Sequence, residues 1–366
     1  MIVSRKMAGY SPRALWWFCA FLLLLSQLEL RGQDNFTVVL DAGHGGKDPG
    51  RPAKNYVEKD IALNIVLELG RRLEARKDIK VIYTRKEDIF LDLKERGRIA
   101  NEADADLFVS IHCNAFSNQA DGTETYVLGL HANEQNFEVA KQENSVIFLE
   151  DNYQEKYAGF DPNSPEAVIG LTLMQEEFLD QSLELASNIQ TNFRDDLKRK
   201  DRGVKQAGFV VLHQTYMPSV LVETGFITNA SEGAFLHSKS GQQKVAGAIY
   251  DAIDRYKRKI DENLVVEETP AVKEQLSKSR VFPGVDFMVQ IASGGDRLAL
   301  KPYNFKGLEG VERLKVGNLY KYYYGKTSDY DKVLQLQSEA RKAGFNSAFV
   351  VAFKDDLRVS LSEIIK

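Results

Sequence analysis

Cysteine is almost absent from this chain, with two in 366 residues, Cys19 and Cys113. Cys19 lies in an N-terminal apolar run. A chain processed behind that run keeps Cys113 alone and can form no internal disulfide. Stability must then come from a packed core, which a chain of this length can build. Positive charge is not in excess. The formal net charge is −4, so the basic field of a nucleic-acid binder is missing. At 43% hydrophobic and 27% charged residues, the chain is too polar for a polytopic membrane protein and too apolar for a disordered one. Histidine is scarce too, at five in the whole chain.

What is present begins with a three-part N-terminus. Arg5, Lys6 and Arg13 flank an apolar run from Ala14 to Leu25, and a more polar stretch from Ser26 to Asp34 follows. This is the layout of a secretory signal peptide over about residues 1–32. The run is shorter than the ~20 residues of a membrane-spanning helix. The alternative is an uncleaved N-terminal anchor. Cleavage near Gly32 would remove Arg5, Lys6, Arg13 and Arg31 with Glu29, leaving a more acidic chain. Such a protein does not bind an acidic polymer by bulk charge, so its recognition must be local.

Length predicts two domains, possibly a third. From Phe36 to Tyr256 strand-like and helix-like patterns alternate. Strands are expected over Phe36–Asp41, Ile79–Thr84, Leu107–His112, Gly122–Leu128, Phe209–Leu212 and Ser219–Glu223. Helices are expected over Glu58–Ala75, Leu93–Ala103, Leu171–Phe193 and Gln242–Arg258. The pattern predicts an α/β domain over 33–258, with a mixed, mainly parallel sheet flanked by helices. An insertion at about 131–170 interrupts it and contains a helix-like run, Phe137–Glu150. Residues 259–282 read as a charged, proline-containing linker. A small α+β module at 283–356 follows, with strands over Phe287–Ala292, Val311–Val316, Leu319–Tyr324 and Ala348–Phe353 and a helix over Tyr330–Ala343.

Two histidines end strand-like runs, His44 in a glycine-rich loop and His112 after Phe108–Ile111. Strand ends in an open α/β sheet converge on the crevice where ligands bind. Glu58 opens a helix, where the helix dipole favours a carboxylate. Two imidazoles and a carboxylate can hold a catalytic zinc that keeps one position open for water. Taken singly, each has a plainer reading as a core histidine or a helix-terminal charge. Glu223 ends a buried strand, where a carboxylate is costly unless paired or functional. It is either the general base a water nucleophile needs or a salt-bridged structural acid. Cys113 sits beside His112, but consecutive strand residues point to opposite faces, which argues against a Cys–His nucleophile.

The segments VVLDAGHGGKDPG, VEKDIALNIV, DLFVSIHCNA and VLVETGFITN carry His44, Glu58, His112 and Glu223 in order. Together they resemble the four motifs of the N-acetylmuramoyl-L-alanine amidases of the AmiA/AmiB/AmiC type. The resemblance implies zinc on His44, Glu58 and His112, with Glu223 as catalytic acid/base. It also implies hydrolysis of the peptidoglycan amide between N-acetylmuramic acid and L-alanine, in cell separation and wall remodelling. Residue chemistry alone leaves open a zinc peptidase acting on the stem peptide, or a wall-binding protein without activity. Division-linked members of the family carry a helix that covers the site until an activator protein withdraws it. Phe137–Glu150 matches that helix, with Glu143 and Glu150 as candidates to occupy the open zinc position; the alternative is a substrate-binding lid. An enzyme of this kind is expected to be exported to the periplasm of a Gram-negative-type envelope, with no transmembrane segment in its mature form.

The C-terminal block resembles the SPOR repeat, a ferredoxin-like module that binds glycan strands stripped of stem peptides. The resemblance rests on FMVQIA and on the stretch from Leu319 to Phe353. Gln290, Tyr320, Tyr322 and Tyr324 are the candidate glycan-binding residues, and alternation puts the three tyrosines on one face. Where the family has its first helix, the segment GGDRLALKPYNFKGLEG is hardly helical.

Overall fold

The computed structural model describes residues 35–365 apart from 52, 54, 117–118, 130–133, 158–159, 165–177, 267–279, 295–296, 317–318, 346–347, 356 and 360. The signal-peptide segment and most of the expected linker lie outside the described residues. No described helix is long and apolar enough to cross a membrane.

Six strands form the first sheet: β1 (Phe36–Ala42), β2 (Ile79–Tyr83), β3 (Leu107–Asn114), β4 (Thr123–Leu128), β5 (Asp201–Ala207) and β6 (Ser219–Phe226). Their order is β2-β1-β3-β6-β4-β5. Pairing is parallel everywhere except between β4 and β6. Strands β1, β3, β4 and β6 are buried at every position, as expected of strands covered on both faces. One layer holds α1 (Glu58–Leu73), α4 (Leu179–Asp195) and α7 (Lys239–Val266), packed on Val109, Ile111, Cys113, Val220 and Val222. The other face, with Phe108, Tyr126 and Leu221, is covered by α2 (Leu93–Glu102), α3 (Glu134–Asn144) and the short α5 (Val210–His213). Odd and even positions of β3 thus feed different layers, which sends His112 and Cys113 apart. The Cys113 thiol meets the Thr224 hydroxyl at 3.3 Å on the α1 side.

Several expectations are corrected. Phe209–Leu212, expected as a strand, is helical from Val210 to His213. The Asn144 side chain accepts the Val210 N–H at 2.8 Å and starts the turn there, a tertiary cap that a short apolar run cannot announce. Strand β5 lies in the polar stretch DRGVKQA; it is a half-exposed edge strand bonded only to β4 and has no apolar alternation to betray it. Helix α6 (Ala230–His237) was not expected either; the Asn229 side chain caps it by accepting the N–H groups of Ser231 and Glu232. Helix α7 runs past Arg258 into the expected linker, supported by the Lys257–Asp261, Arg258–Asp254 and Lys259–Glu184 ion pairs. The helix expected over Leu171–Phe193 is described from Leu179 onward.

The C-terminal unit is an antiparallel sheet of β7 (Val285–Gly294), β8 (Val311–Val316), β9 (Leu319–Thr327), β10 (Phe349–Lys354) and β11 (Leu357–Val359), in the order β11-β10-β7-β9-β8. Its first four strands in chain order lie 4-1-3-2, the order of a ferredoxin-like unit. Helix α8 (Tyr330–Lys342) packs on it, and where a first helix would stand the described residues form a 3₁₀ turn, Pro302–Asn304. Tyr320, Tyr322 and Tyr324 do share a face, but it is the inner one. Tyr322 is 1% exposed, and the other two pack on the same core. Tyr322 is thus closed to a ligand as placed, while Tyr320 and Tyr324 are only partly buried. The opposite face carries Met288, Tyr323 and Val351, with Gln290 paired to Tyr323. Gln290 is itself 2% exposed, and Phe349 on β10 stacks edge-on with Phe178 of the first domain.

Candidate active site

The end of β1 runs directly into the loop that carries His44, and the strand order puts β3 beside it. Gly43 lets the loop approach β3 closely, since a Cβ there would lie 2.4 Å from the His112 ring. His44 itself has φ +60, a costly conformation for a residue with a side chain. Two buried arginines hold the loop in place. Arg85 donates to the carbonyls of Ala42 and Gly43, and Arg96 to those of Ala42 and His44.

The imidazole of His44 is oriented by Asp48, whose Oδ2 lies 2.7 Å from Nδ1. That bond leaves Nε2 free to face the site. Glu58, fully buried at the first turn of α1, accepts the Cys113 N–H on Oε1 and the Arg51 N–H on Oε2. Its Oε1 lies 3.2 Å from His44 Nε2 and 3.4 Å from His112 Nδ1. Glu143, at the end of α3, places Oε2 at 3.2 Å and 3.1 Å from the same two nitrogens. Each of the two carboxylate oxygens therefore lies within 3.4 Å of both imidazole nitrogens. Nitrogen and oxygen atoms at these separations can share one ion with bonds of about 2.0–2.2 Å. His44 Nε2, His112 Nδ1 and Glu143 Oε2 are buried without hydrogen-bond partners among the described residues. Buried polar atoms left in this way are costly unless something else binds them. Among the described residues the cluster able to hold a metal ion is His44, His112 and Glu143. The residues fit a divalent cation.

Electrostatics agree. Burial opposes charge on His44 and His112, yet the facing carboxylates Glu58 and Glu143 outweigh it and raise both, His112 to about 9. Burial likewise opposes ionisation of Glu58 and Glu143, and the imidazoles overcome it. Such a site wants positive charge, and a cation would supply it in place of two protons.

Glu223 stands opposite His112 in the β3–β6 register and opposite Glu124 across β4. Glu124 is neutralised by Arg202 and Lys205. Glu223 is not: it is 1% exposed, and neither oxygen has a hydrogen-bond partner among the described residues. Burial, followed by the charge of Glu143, raises its pKa well above the usual carboxylate range. A buried acid so perturbed beside a ligand cluster has the character of a proton carrier. Glu150, the other insertion candidate, is not in the site. It accepts the Leu93 N–H at 2.9 Å, so it satisfies the start of α2, and it is bonded by the Tyr157 hydroxyl.

Sequence reasoning missed Asp41, Asp48, Arg51, Arg85 and Arg96. Asp41 and Asp48 lie inside the quoted glycine-loop motif, a usable signal; Arg51 stands directly after it, and Arg85 and Arg96 are distant in sequence. Two tests follow. Gly50 has φ +76, and a Cβ there would sit 2.7 Å from both Glu58 Oε2 and His44 Cδ2. Gly50→Ala should therefore weaken metal binding by at least about tenfold in a competition titration, since it strains the backbone and pushes two ligand side chains at once. Burial also opposes ionisation of Asp41, but Arg96, with the hydroxyls of Ser110 and Thr84, holds its pKa below the usual value. A lowered carboxylate stabilises above its unfolded pKa near ~4 and loses that stabilisation as pH falls through the folded value. Asp41→Asn should cost about 3–5 kcal/mol at pH 7 by urea titration, because Arg96 loses its buried counter-ion. The variant should also lose part of the acid-induced fall in stability below pH ~4.

A sheet-end site that gathers two imidazoles, a carboxylate and a separate buried acid belongs to the class of metal-dependent hydrolases. Residues 38–255 match the family model described as Amidase_3, N-acetylmuramoyl-L-alanine amidase. The chain is 36% identical over 220 residues to the uncharacterized protein YqiI of Bacillus subtilis, covering 60% of this chain and 84% of that one. It is 34% identical over 224 residues to the amidase AmiA of Escherichia coli K12, covering 60% and 75% respectively. With the amidase AmiC of Escherichia coli O6:H1 it shares 33% over 241 residues, which is 62% of this chain and about half (54%) of that protein. The chain belongs to the N-acetylmuramoyl-L-alanine amidase family and is a hydrolase of peptidoglycan.

Proposed function

We propose that this amidase works with zinc held by His44, Glu58 and His112, that Glu223 carries the proton, and that Glu143 keeps the site closed in the resting chain. The observation that carries the reading is that a Glu58 oxygen and a Glu143 oxygen each lie 3.1–3.4 Å from both imidazole nitrogens, with Glu143 delivered by the insertion. A bound zinc ion would supply Lewis-acid polarisation of the scissile carbonyl and acidify the attacking water. The protein does the rest. Asp48 fixes the tautomer of His44, and Arg85 and Arg96 hold the loop. Glu223, desolvated and unpaired, accepts the proton of the water and returns it to the departing nitrogen of L-alanine. The lactyl group keeps a carboxylate and the stem peptide leaves with a free amine.

Glu143 accounts for the fourth position. Its carboxylate is where a substrate oxygen would have to be, so α3 must move before turnover. An activator protein that binds the insertion would provide that motion. The basic and apolar N-terminus supports export, and the acidic remainder supports a substrate contacted locally, in a periplasm of the Gram-negative type. A glycan-binding role for the C-terminal unit would fall to the partly exposed Tyr320 and Tyr324 rather than to the buried Tyr322 and Gln290. Metal analysis of the purified chain tests the centre: one zinc per chain is expected, lost in His44→Ala, and a metal-free wild type with full activity would refute the reading.

A further inference from the structure

Arg51 follows Gly50 in the glycine-rich loop, and none of the roles above uses its side chain. Its backbone N–H donates to Glu58 Oε2 at 2.7 Å, which ties its position to the ligand cluster. Its side chain is only 14% exposed, and Nε lies 3.3 Å from Glu143 Oε1. That contact is an ion pair without hydrogen-bond alignment, so the Nε–H is left buried with its donor capacity unspent.

The two oxygens of Glu143 are divided. Oε2 faces the two imidazole nitrogens, and Oε1 faces Arg51. One carbon thus carries an oxygen at the histidines and an oxygen at a guanidinium. Hydrolysis of an amide passes through a carbon of the same description, bearing the oxygen of the attacking water and the former carbonyl oxygen. We infer that Arg51 is a catalytic residue that receives one of these two oxygens and stabilises its developing charge, and that Glu143 occupies both positions in the resting chain. The inference rests on the functional reading above.

The chemistry balances with the groups present and one water. The water oxygen bonds to the carbonyl carbon, the C=O pair moves onto oxygen, and the proton passes to Glu223. When the pair returns, the C–N bond breaks and Glu223 gives the proton to the alanine nitrogen. Guanidinium does not deprotonate, so Arg51 acts only as a donor and a fixed positive charge, which suits an oxyanion. A donor aimed at developing charge acts on kcat more than on ground-state binding.

The experiment has two arms. In a zinc-loaded Glu143→Ala background, Arg51→Ala should lower kcat on muropeptides about 10²-fold with KM nearly unchanged, the usual cost of one oxyanion donor, and Arg51→Lys should restore part of it. Equal kcat in Glu143→Ala and Glu143→Ala/Arg51→Ala would overturn the inference. In metal-free protein, Arg51→Gln should speed hydrogen exchange across Glu134–Asn144, and should add nothing once Glu143 is alanine. Unchanged exchange in the single variant would show that Arg51 does not hold the carboxylate. A Glu143→Ala chain without amidase activity would instead refute the functional reading, and the exchange arm would still decide the contact.

Discussion

Glu223→Gln should reduce turnover of peptidoglycan about 10²–10⁴-fold, the range of a lost general acid–base group, with zinc content unchanged. The carboxyl is buried, both of its oxygens are without hydrogen-bond partners among the described residues, and burial pushes its pKa up. Its base form therefore appears only as pH rises above the ordinary carboxylate range. The acid limb of kcat/KM against pH should report that ionisation in the Glu143→Ala chain and vanish when Glu223 is also glutamine. Stability should not suffer, because glutamine removes a buried acid and no hydrogen bond. A melting temperature equal to or above the wild type, with activity lost, is the combination that marks a group kept for chemistry.

Glu143→Ala should raise the activity of the purified chain about 10²-fold in the absence of any partner. Closure depends on a carboxylate that is 6% exposed and engages two imidazoles and Arg51. Removing one member of a buried charged set costs about 3–5 kcal/mol, and each 1.4 kcal/mol is tenfold in an equilibrium. That loss falls on the closed state alone, so the population shifts toward open. Initial rates of muropeptide release for the two chains decide it. Equal rates would mean that α3 is a substrate-binding lid and that Glu143 does not block the site.

The parts of this site legible in the sequence were those whose position follows from strand ends. His44 and His112 close apolar runs that turned out to be adjacent parallel strands, and Glu58 opens a helix whose apolar stripe was regular. Glu223 was legible because a carboxylate directly after the apolar run Val220–Val222 needs a reason. Glu143 could be named only alongside Glu150, since the two lie on one insertion and differ in which way a helix and a 3₁₀ turn aim them. Arg51, Arg85 and Arg96 were not legible, because arginine in a loop or helix looks the same whether it meets solvent or a buried carbonyl. The tyrosines of β9 alternate as expected, with Tyr322 in the core and Tyr320 and Tyr324 partly buried against it. Period 2 divides a strand into two faces but does not say which one the helix covers.

The most direct test of the account is the digestion of purified peptidoglycan by the Glu143→Ala chain, with and without a zinc chelator, followed by mass analysis of the soluble products. The account predicts stem peptides with a free amine on L-alanine, glycan strands left with lactyl carboxylates, and no release when zinc is removed. Cleavage within the stem peptide or between sugars, or release that survives the chelator, would contradict it.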